Sequence, residues 1–285
     1  MTEFTPDTAH PVLIFGGPYS NLAAVRAMRE TGSRLNIPSG NILCTGDIVA
    51  YCASPQETTD IICDWGISVV QGNCEESLGN DASDCGCGFD EGSACDLLST
   101  GWFNFAQTRI SKDSKRWMAQ LPANVSFTYA GLTMRAIHGG LNSINQFIFA
   151  SDGKQLKEAQ LAEAGVDVII GGHCGIPFGQ QLTKGFWLNA GVIGMPANDG
   201  RQDTWYMLIT AEPEGQVTAS WHQLTYDVSH TVSAMQNSGL NTPYVKALQS
   251  GYWPSVDILP EAEAGISGQP LKLKPLSLKP LNMEL

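Results

Sequence analysis

The sequence predicts an α/β fold, because short apolar runs that end at glycine alternate with segments of helical periodicity. Apolar runs at residues 11–15, 41–45 and 67–70 predict three buried strands. Helical spacing over 21–31 separates the first two strands, and a second helix over 55–65 separates the second and third. This βαβαβ order is typical of an open sheet that carries its functional residues at the carboxyl ends of the strands.

The alternation stops at residues 78–122, where a loop rich in Asp, Gly and Cys precedes two predicted helices, near 93–110 and 111–121. We interpret this segment as an inserted helical cap in a domain that spans residues 1–259. The final residues, 260–285, are rich in Pro, Leu and Lys and predict an extended arm that is mobile or lies on the surface. Between cap and arm, strands are predicted at 125–129, 133–137, 166–170, 186–189, 204–211 and 217–223, and helices at 153–164, 229–239 and 244–250.

Composition restricts the function classes. The chain has 285 residues and a net charge of −12, with few and scattered basic residues, which argues against binding of a nucleic-acid duplex. There is no apolar run long enough for a membrane span, and the first ten residues are polar and acidic rather than a secretory signal. We therefore expect a cytoplasmic protein whose eight cysteines are mostly reduced. A small phosphorylated substrate stays compatible with the acidic charge if a metal ion supplies local positive charge.

Polar side chains cluster at the predicted strand ends. Gly46-Asp47 follows the second strand, Gly72-Asn73-Cys74-Glu75 follows the third, and Gly172-His173-Cys174-Gly175 follows the strand at 166–170. The loop Gly16–Asn21 follows the first strand, and His138 stands alone after the strand at 133–137. Turn and capping chemistry is the alternative explanation for each of these residues taken singly.

In order and placement, these five elements resemble the motifs of the calcineurin-like metallophosphoesterases, and more narrowly the single-domain phosphodiesterases of bacteria and archaea. Residues 187–196 and 117–122 are similar to further segments of that branch, so the resemblance covers the chain except its C-terminal arm. It implies a four-layer α/β/β/α sandwich of two mixed sheets. It also implies a hydrolase in which a metal-activated water attacks phosphorus.

The resemblance assigns metal ligands residue by residue. Asp47 stands where the family has the ligand that bridges two metals, and Asn73, His138 and His173 match the other ligands of the second metal. The first metal's own ligands are replaced by Gly17, Tyr19 and Gly175, and Cys74 replaces the catalytic His. One metal position is therefore complete and the other is doubtful.

The complete set offers two oxygens and two imidazole nitrogens, which suits one Zn, Mn, Fe or Ni ion. Asp47 and Cys74 are the predicted catalytic residues, with the Cys74 thiol as proton donor to a leaving group or as a metal ligand. Additional ligand or pocket residues are predicted among Cys174, Cys52, Glu75, Tyr19 and Asn21. Two other functions stay open: a binding or regulatory protein that has lost catalysis, and a protein of thiol- or metal-linked redox chemistry.

A separate cysteine site is a further hypothesis. Cys85, Cys87 and Cys95 are closely spaced, and Cys74 or Asp84 would complete four ligands for zinc or an iron–sulfur cluster. The spacing matches no standard finger. A glycine-rich loop with reduced thiols explains the same residues.

Overall fold

The computed structural model describes residues 4–212, 215–240 and 242–279. Two mixed β-sheets lie face to face in this part of the chain, and helices cover their outer faces. The strands are β1 (Val12–Phe15), β2 (Ile42–Cys44), β3 (Ser68–Val69), β4 (Asn124–Tyr129), β5 (Leu132–Ile137), β6 (Val168–Gly171), β7 (Phe178–Gln181), β8 (Phe186–Asn189), β9 (Thr204–Ala211), β10 (Val217–Leu224) and β11 (Leu276–Leu278). The helices are α1 (Leu22–Arg34), α2 (Pro55–Trp65), α3 (Asn73–Gly79), α4 (Ala94–Gln107), α5 (Lys112–Ala119), α6 (Lys154–Ala164), α7 (Val228–Asn237), α8 (Pro243–Ser250) and α9 (Glu261–Gly265).

The first sheet has the strand order β11-β10-β9-β1-β2-β3. The first three strands of the chain are parallel, as the βαβαβ pattern predicts, and β9, β10 and β11 extend the sheet in antiparallel pairs on the other side of β1. Because β1 is central and covered on both faces, all four of its residues are buried.

The second sheet has the order β4-β5-β6-β8-β7. Strands β4 and β5 form the hairpin predicted across Ala130-Gly131, with Tyr129 paired to Leu132. Ala130 and Gly131 both have positive φ angles, 48° and 83°, the backbone that a two-residue turn needs to follow the twist of its strands. Strands β5, β6 and β8 are parallel, so their carboxyl ends meet at one edge.

Successive residues of a strand point to opposite faces of the sheet and pack into different hydrophobic cores. Val12 and Ile14 of β1 face the apolar layer between the sheets, where they join Ile170 and Leu188 of the second sheet. Leu13 and Phe15 point to the opposite face and pack with residues of α1 such as Val25 and Met28. In the second sheet, Ile169 and Trp187 pack outward with Leu161 of α6. This gives the α/β/β/α layering that the resemblance implied.

The predicted elements agree with the structure in type, and several agree to the residue. Helix α2 and strands β8 and β9 have their predicted bounds, and the two cap helices are present as α4 and α5. The short elements α3, β7, α9 and β11 were not predicted.

The C-terminal segment is more structured than an extended arm. Residues 261–265 form α9, and β11 pairs antiparallel with β10, where Leu278 stands opposite Val217. Leu278 is buried, so this strand is an edge of the first sheet rather than a loosely placed tail. Residues 280–285 of the predicted arm lie outside the described residues.

No helix in the described part of the chain is long and apolar enough to cross a membrane. The parallel strands of both sheets direct the loops after β2, β3, β5 and β6 toward a common region. Those four loops carry Asp47, Asn73, His138 and His173.

We predict that Leu278→Ala lowers the free energy of unfolding by about 2–4 kcal/mol, because it removes buried methyl groups from an edge strand that completes the core. Urea denaturation followed by circular dichroism measures the change. Ser277→Ala is the matched control on the same strand, since Ser277 is exposed, and its effect should stay within about 0.5 kcal/mol. Equal stabilities for the two variants would show that β11 contributes nothing to the fold.

Candidate metal centre

Four buried side chains meet at the ends of the strands. His138 Nε2 lies 3.1 Å from Asn73 Oδ1, 3.2 Å from Asp47 Oδ2 and 3.1 Å from His173 Nδ1. His173 Nδ1 lies 3.9 Å from Asp47 Oδ2. The sequence-predicted ligand set is therefore brought together around one point.

Hydrogen bonds on the outer side of these side chains determine which of their atoms face the centre of the group. His138 Nδ1 donates to the carbonyl oxygen of Thr45 at 2.6 Å, so its Nε2 carries the lone pair when the ring is neutral. His173 Nε2 donates to the carbonyl oxygen of Cys87 at 3.3 Å, which leaves its Nδ1 as the inward lone pair. Asn73 Nδ2 donates to the carbonyl oxygen of Cys85 at 2.9 Å, so its Oδ1 points to the centre.

Two imidazole nitrogens, an amide oxygen and a carboxylate oxygen thus face one another, a donor set that suits a divalent cation. Donor atoms held ~2.1 Å from a tetrahedral ion lie about 3.4 Å apart, which is within the range of the separations above. The outward hydrogen bonds of the two imidazoles to backbone carbonyls are those that orient metal-ligating histidines. Within the described residues, Asp47, His138 and His173 form the one group of three or more His, Cys, Asp or Glu side chains with ligand atoms within 4.8 Å of one another.

The pKa values of Asp47, His138 and His173 depend on one another. Burial alone would raise the pKa of Asp47, but the adjacent His138 and His173 outweigh it and hold that pKa below its ordinary value. Burial alone would lower the pKa of His138, whereas Asp47 raises it. Burial and the nearby His138 lower the pKa of His173 to about 3, so His173 is neutral and its Nδ1 is free to donate its lone pair.

A buried carboxylate holds the Asp47 loop. Glu75 accepts hydrogen bonds from the backbone N–H groups of Asp47 (2.7 Å), Ile48 (2.8 Å), Val49 (3.4 Å) and Gly72 (3.0 Å). Asp47 itself has a φ of 58°, a left-handed conformation that a non-glycine residue keeps only when its surroundings impose it. Glu75 supplies that constraint. Its carboxylate oxygens bond the backbone behind Asp47, a geometry that positions the loop, and its role as an additional metal ligand stays a prediction.

Gly17, at a position where the resemblance implies a metal ligand, has no room for a side chain. A Cβ atom at Gly17 would lie 2.5 Å from Val192 Cγ1 and 2.6 Å from the Tyr19 ring. Gly17 also has a φ of 44°. A longer side chain at residue 17 would therefore require Tyr19 and Val192 to move.

Backbone pairing keeps Val192 in that place. The loop after β8 bonds to the loop after β1 through Gly16 N to Gly191 O at 3.1 Å, Ile193 N to Gly16 O at 2.9 Å and Gly194 N to Gly17 O at 2.8 Å. The Tyr19 N–H in turn donates to the carbonyl oxygen of Asp47 at 3.1 Å. The loops after β1, β2 and β8 thus form one packed unit around Gly17.

A cavity of about 60 Å³ opens beside Asp47 and His173. Its walls are mostly aromatic and aliphatic, and none of the described residues that line it is Lys or Arg. Tyr51 contacts Tyr244 with ring centroids 4.4 Å apart, and Phe147 packs on the His173 ring at 4.2 Å. Other apolar wall residues are Phe89, Val192 and Trp253.

Two predicted cysteines flank the centre in different ways. The Cys74 backbone N–H donates to Asp47 Oδ1 at 3.3 Å, and its sulfur accepts from Asn73 Nδ2 at 3.6 Å. Burial and the Asp47 charge raise the pKa of this thiol well above its ordinary value, so it is neutral, and it does not line the cavity. Cys174 does line the cavity, where its sulfur accepts from Asn189 Nδ2 at 3.2 Å.

Of the other predicted pocket residues, Asn21 and Cys52 lie away from the cavity and Tyr19 lines it. Asn21 caps α1 by accepting from the Ala24 N–H, and its amide donates to the Gly194 carbonyl oxygen and to the Tyr226 hydroxyl. Cys52 is buried among core side chains and does not line the cavity. The Tyr19 ring lines the cavity, and burial raises the pKa of its hydroxyl well above the ordinary value.

The cysteine-rich loop differs from its prediction. Cys85 and Cys87 form a disulfide with each other, so this pair is not reduced, and the proposed cluster with Cys95 does not form in this structure. Cys95 is a free, buried cysteine at the cavity wall. The loop instead supplies the carbonyl oxygens of Cys85 and Cys87 that orient Asn73 and His173.

Several residues of the site were not predicted from the sequence. The Thr45 carbonyl and the aromatic residues Tyr51, Phe147, Tyr244 and Trp253 had no motif to mark them. Tyr51 alone carried a usable signal, because it lies four positions after Asp47 on a loop already assigned to the site. The other aromatic residues come from distant segments that only the folded chain brings together.

Comparison with known families agrees with this geometry. The calcineurin-like phosphoesterase superfamily domain matches residues 20–213 of the chain. The protein therefore belongs to the calcineurin-like phosphoesterase superfamily. Members of this superfamily generally use divalent metals. No curated protein matches the chain in sequence.

Two solved structures share the fold. A hypothetical protein from Pyrococcus horikoshii OT3 is 15% identical with a TM-score of 0.71, and the match covers 85% of this chain and 98% of that one. A metallophosphoesterase from Sphaerobacter thermophilus is 20% identical with a TM-score of 0.65, covering 85% of this chain and 99% of its own. At these identities the likeness establishes the shared fold.

We predict that Glu75→Gln lowers the free energy of unfolding by about 2–5 kcal/mol, because an amide cannot accept from all the backbone N–H groups that the carboxylate now binds. Urea denaturation measures the change. Glu76→Gln is the matched control, since Glu76 is the next residue of the same helix and is exposed. If both substitutions are equally mild, Glu75 does not hold the Asp47 loop.

Thiol titration tests the cysteine assignments. In protein purified without reductant and then denatured, Ellman's reagent should find six thiols, because six cysteines are free and two are joined. In the native protein, only the exposed Cys63 should react readily, although burial and nearby Asp60 raise its pKa to about 11. Titration of all eight cysteines in the denatured, unreduced protein would argue against the disulfide.

Proposed function

We propose that the protein is a divergent metal-dependent phosphoesterase that hydrolyses a small phosphorylated substrate with one metal ion. The observation that carries the proposal is the convergence of Asp47, Asn73, His138 and His173 on one point with all four donor atoms facing inward. A divalent ion held there would supply Lewis-acid chemistry toward a phosphoryl oxygen and a water molecule.

The chain's own residues supply the rest of the arrangement. Asp47 contributes the single negative charge among the four ligands, so a divalent ion in this set keeps net positive charge and attracts phosphate. The Cys74 backbone N–H holds the Asp47 carboxylate and the thiol does not line the cavity, so the geometry supports a positioning role and does not support protonation of a leaving group. Phe147 and the cavity walls exclude bulk water from one side of His173.

A second candidate function is binding of a phosphorylated ligand without turnover. It is favoured by the surroundings of Gly17, where Val192 and Tyr19 occupy the space that a ligating side chain at residue 17 would need. With one ion, the clamp on both attacking and leaving oxygens that two-metal enzymes use is absent. The two candidates share the metal centre and differ in whether a product forms.

Elemental analysis and turnover distinguish them. We expect about one equivalent of Zn, Mn, Fe or Ni per chain, and hydrolysis of bis(4-nitrophenyl) phosphate that a chelator abolishes and added metal restores. Asp47→Ala and His138→Ala should each lower metal content and hydrolysis by about 100-fold or more, because each removes a ligand. His230→Ala is the control, since His230 is exposed and distant in sequence from all four motifs.

A protein with a full equivalent of metal and no hydrolysis would favour the binding function. Absence of bound metal after supplementation, with the fold intact by circular dichroism, would refute both candidates.

A further inference from the structure

The loop between β5 and α6, residues 138–153, involves both imidazoles of the candidate metal centre. It begins at His138, one of the four converging side chains. It then carries Phe147 onto the ring of His173, with the two ring centroids 4.2 Å apart. The conformation of this one loop therefore affects two of the four groups. An inference about the loop rests on the proposed function, because it concerns groups that would hold an ion.

The two imidazoles differ in how firmly they are oriented. His138 Nδ1 donates to the Thr45 carbonyl oxygen at 2.6 Å, whereas His173 Nε2 donates to the Cys87 carbonyl oxygen at 3.3 Å. A hydrogen bond of the second length is weaker, so it constrains the His173 ring less. Packing of Phe147 on the face of that ring supplies a further constraint. We therefore expect the direction of His173 Nδ1 to depend on the position of Phe147.

Two glycines let the loop fold back tightly after β5. A Cβ atom at Gly139 would lie 2.3 Å from the Ile144 carbonyl oxygen, and one at Gly140 would lie 2.0 Å from Gln146 Oε1. A side chain at Gly139 would therefore require the backbone of the loop to move. The Gln146 side chain is packed against the start of the loop, one residue before Phe147.

Gln160 of α6 joins the two parts of the loop that meet there. Its Oε1 accepts from the Leu141 N–H at 2.7 Å, and its Nε2 donates to Gln146 Oε1 at 3.1 Å. Gln160 is only 8% exposed, so water replaces these bonds poorly if they are lost. Loss of both bonds would release the segment that places Phe147 on His173.

A second buried side chain of the same helix holds the far end of the loop. Lys157 Nζ donates to the carbonyl oxygens of Ala150 and Asp152, at 3.1 and 2.9 Å, and to Gln180 Oε1 of β7 at 2.8 Å. All three ammonium hydrogens thus have acceptors. This end of the loop stays held when Gln160 is changed, so a variant at Gln160 is expected to fold.

We propose that Gln160 is a positioning residue for the metal centre. It holds Leu141 and Gln146, and the loop held in this way places Phe147 on the face of His173. Phe147 in turn keeps His173 Nδ1 directed at the ion. Gln160 does not line the cavity, so it acts through Phe147 and contacts neither ion nor substrate.

Gln160→Met tests the proposal, because it removes both hydrogen bonds at nearly the same side-chain length. We expect it to weaken Co²⁺ binding about 10-fold, the lower end of the effect of removing a group that orients a metal ligand. Co²⁺ is the probe, because its visible absorption reports the geometry of its ligands, and that absorption should change in the variant. Gln155→Met is the matched control, since Gln155 is exposed on the same helix, and it should leave affinity and spectrum unchanged.

A double-mutant cycle with Phe147→Leu shows whether Gln160 acts through Phe147. Phe147→Leu should itself weaken Co²⁺ binding about 10-fold. If the two residues act in series, the double variant should also lose about 10-fold in total, whereas independent effects would multiply to about 100-fold. Gln146→Met removes the same side-chain hydrogen bond from the loop and replaces Gln160→Met in the cycle if that variant does not fold.

Urea denaturation of the metal-free proteins separates stability from metal binding. A Gln160→Met variant that is less stable but binds Co²⁺ with unchanged affinity and spectrum would overturn this inference, and so would multiplied losses in the double variant. Either result leaves the proposed one-metal centre standing. A wild-type protein that binds no Co²⁺ would overturn the proposed function and this inference with it.

Discussion

A single buried carboxylate determines how the site is built. Glu75 lies at the start of α3 and binds four backbone N–H groups from the loops after β2 and β3. Burial and the Asp47 charge raise the pKa of Glu75 to about 7, and the hydrogen bonds from the backbone oppose this effect by replacing part of the hydration of the carboxylate. The same bonds hold Asp47 in a left-handed backbone conformation and turn its side chain toward His138. The two sheets bring the strand ends together. The hydrogen bonds of Glu75 then set the direction in which the Asp47 side chain points.

The site is asymmetric, and its two halves follow different physical rules. On one side, polar atoms converge with their outer hydrogens fixed by carbonyl oxygens, an arrangement that suits a cation. On the other side, Val192 and Tyr19 pack against Gly17 and also line the cavity beside Asp47. A single substitution that introduces a side chain at residue 17 would clash with both.

The sequence predicted the sheets and the convergence of Asp47, Asn73, His138 and His173 because both depend on local signals. Apolar runs mark β1, β2 and β6, and the glycine after each marks the turn that exposes the next residue to the site. Short elements were missed for a physical reason. Strand β11 has three residues, and its pairing with β10 depends on a strand more than fifty positions earlier. The disulfide and the aromatic wall were also beyond prediction, because oxidation state and contacts such as Tyr51 with Tyr244 are set by the folded chain.

The bridge between Cys85 and Cys87 links two features of the centre. The carbonyl oxygen of Cys85 fixes the amide of Asn73, and the carbonyl oxygen of Cys87 fixes the imidazole of His173. Since both carbonyls belong to one small covalent ring with Gly86 between them, neither can shift without the other. Two side chains from opposite sheets are thereby oriented by the same disulfide-bridged loop, and their mutual alignment depends on that loop as well as on the strands that bear them.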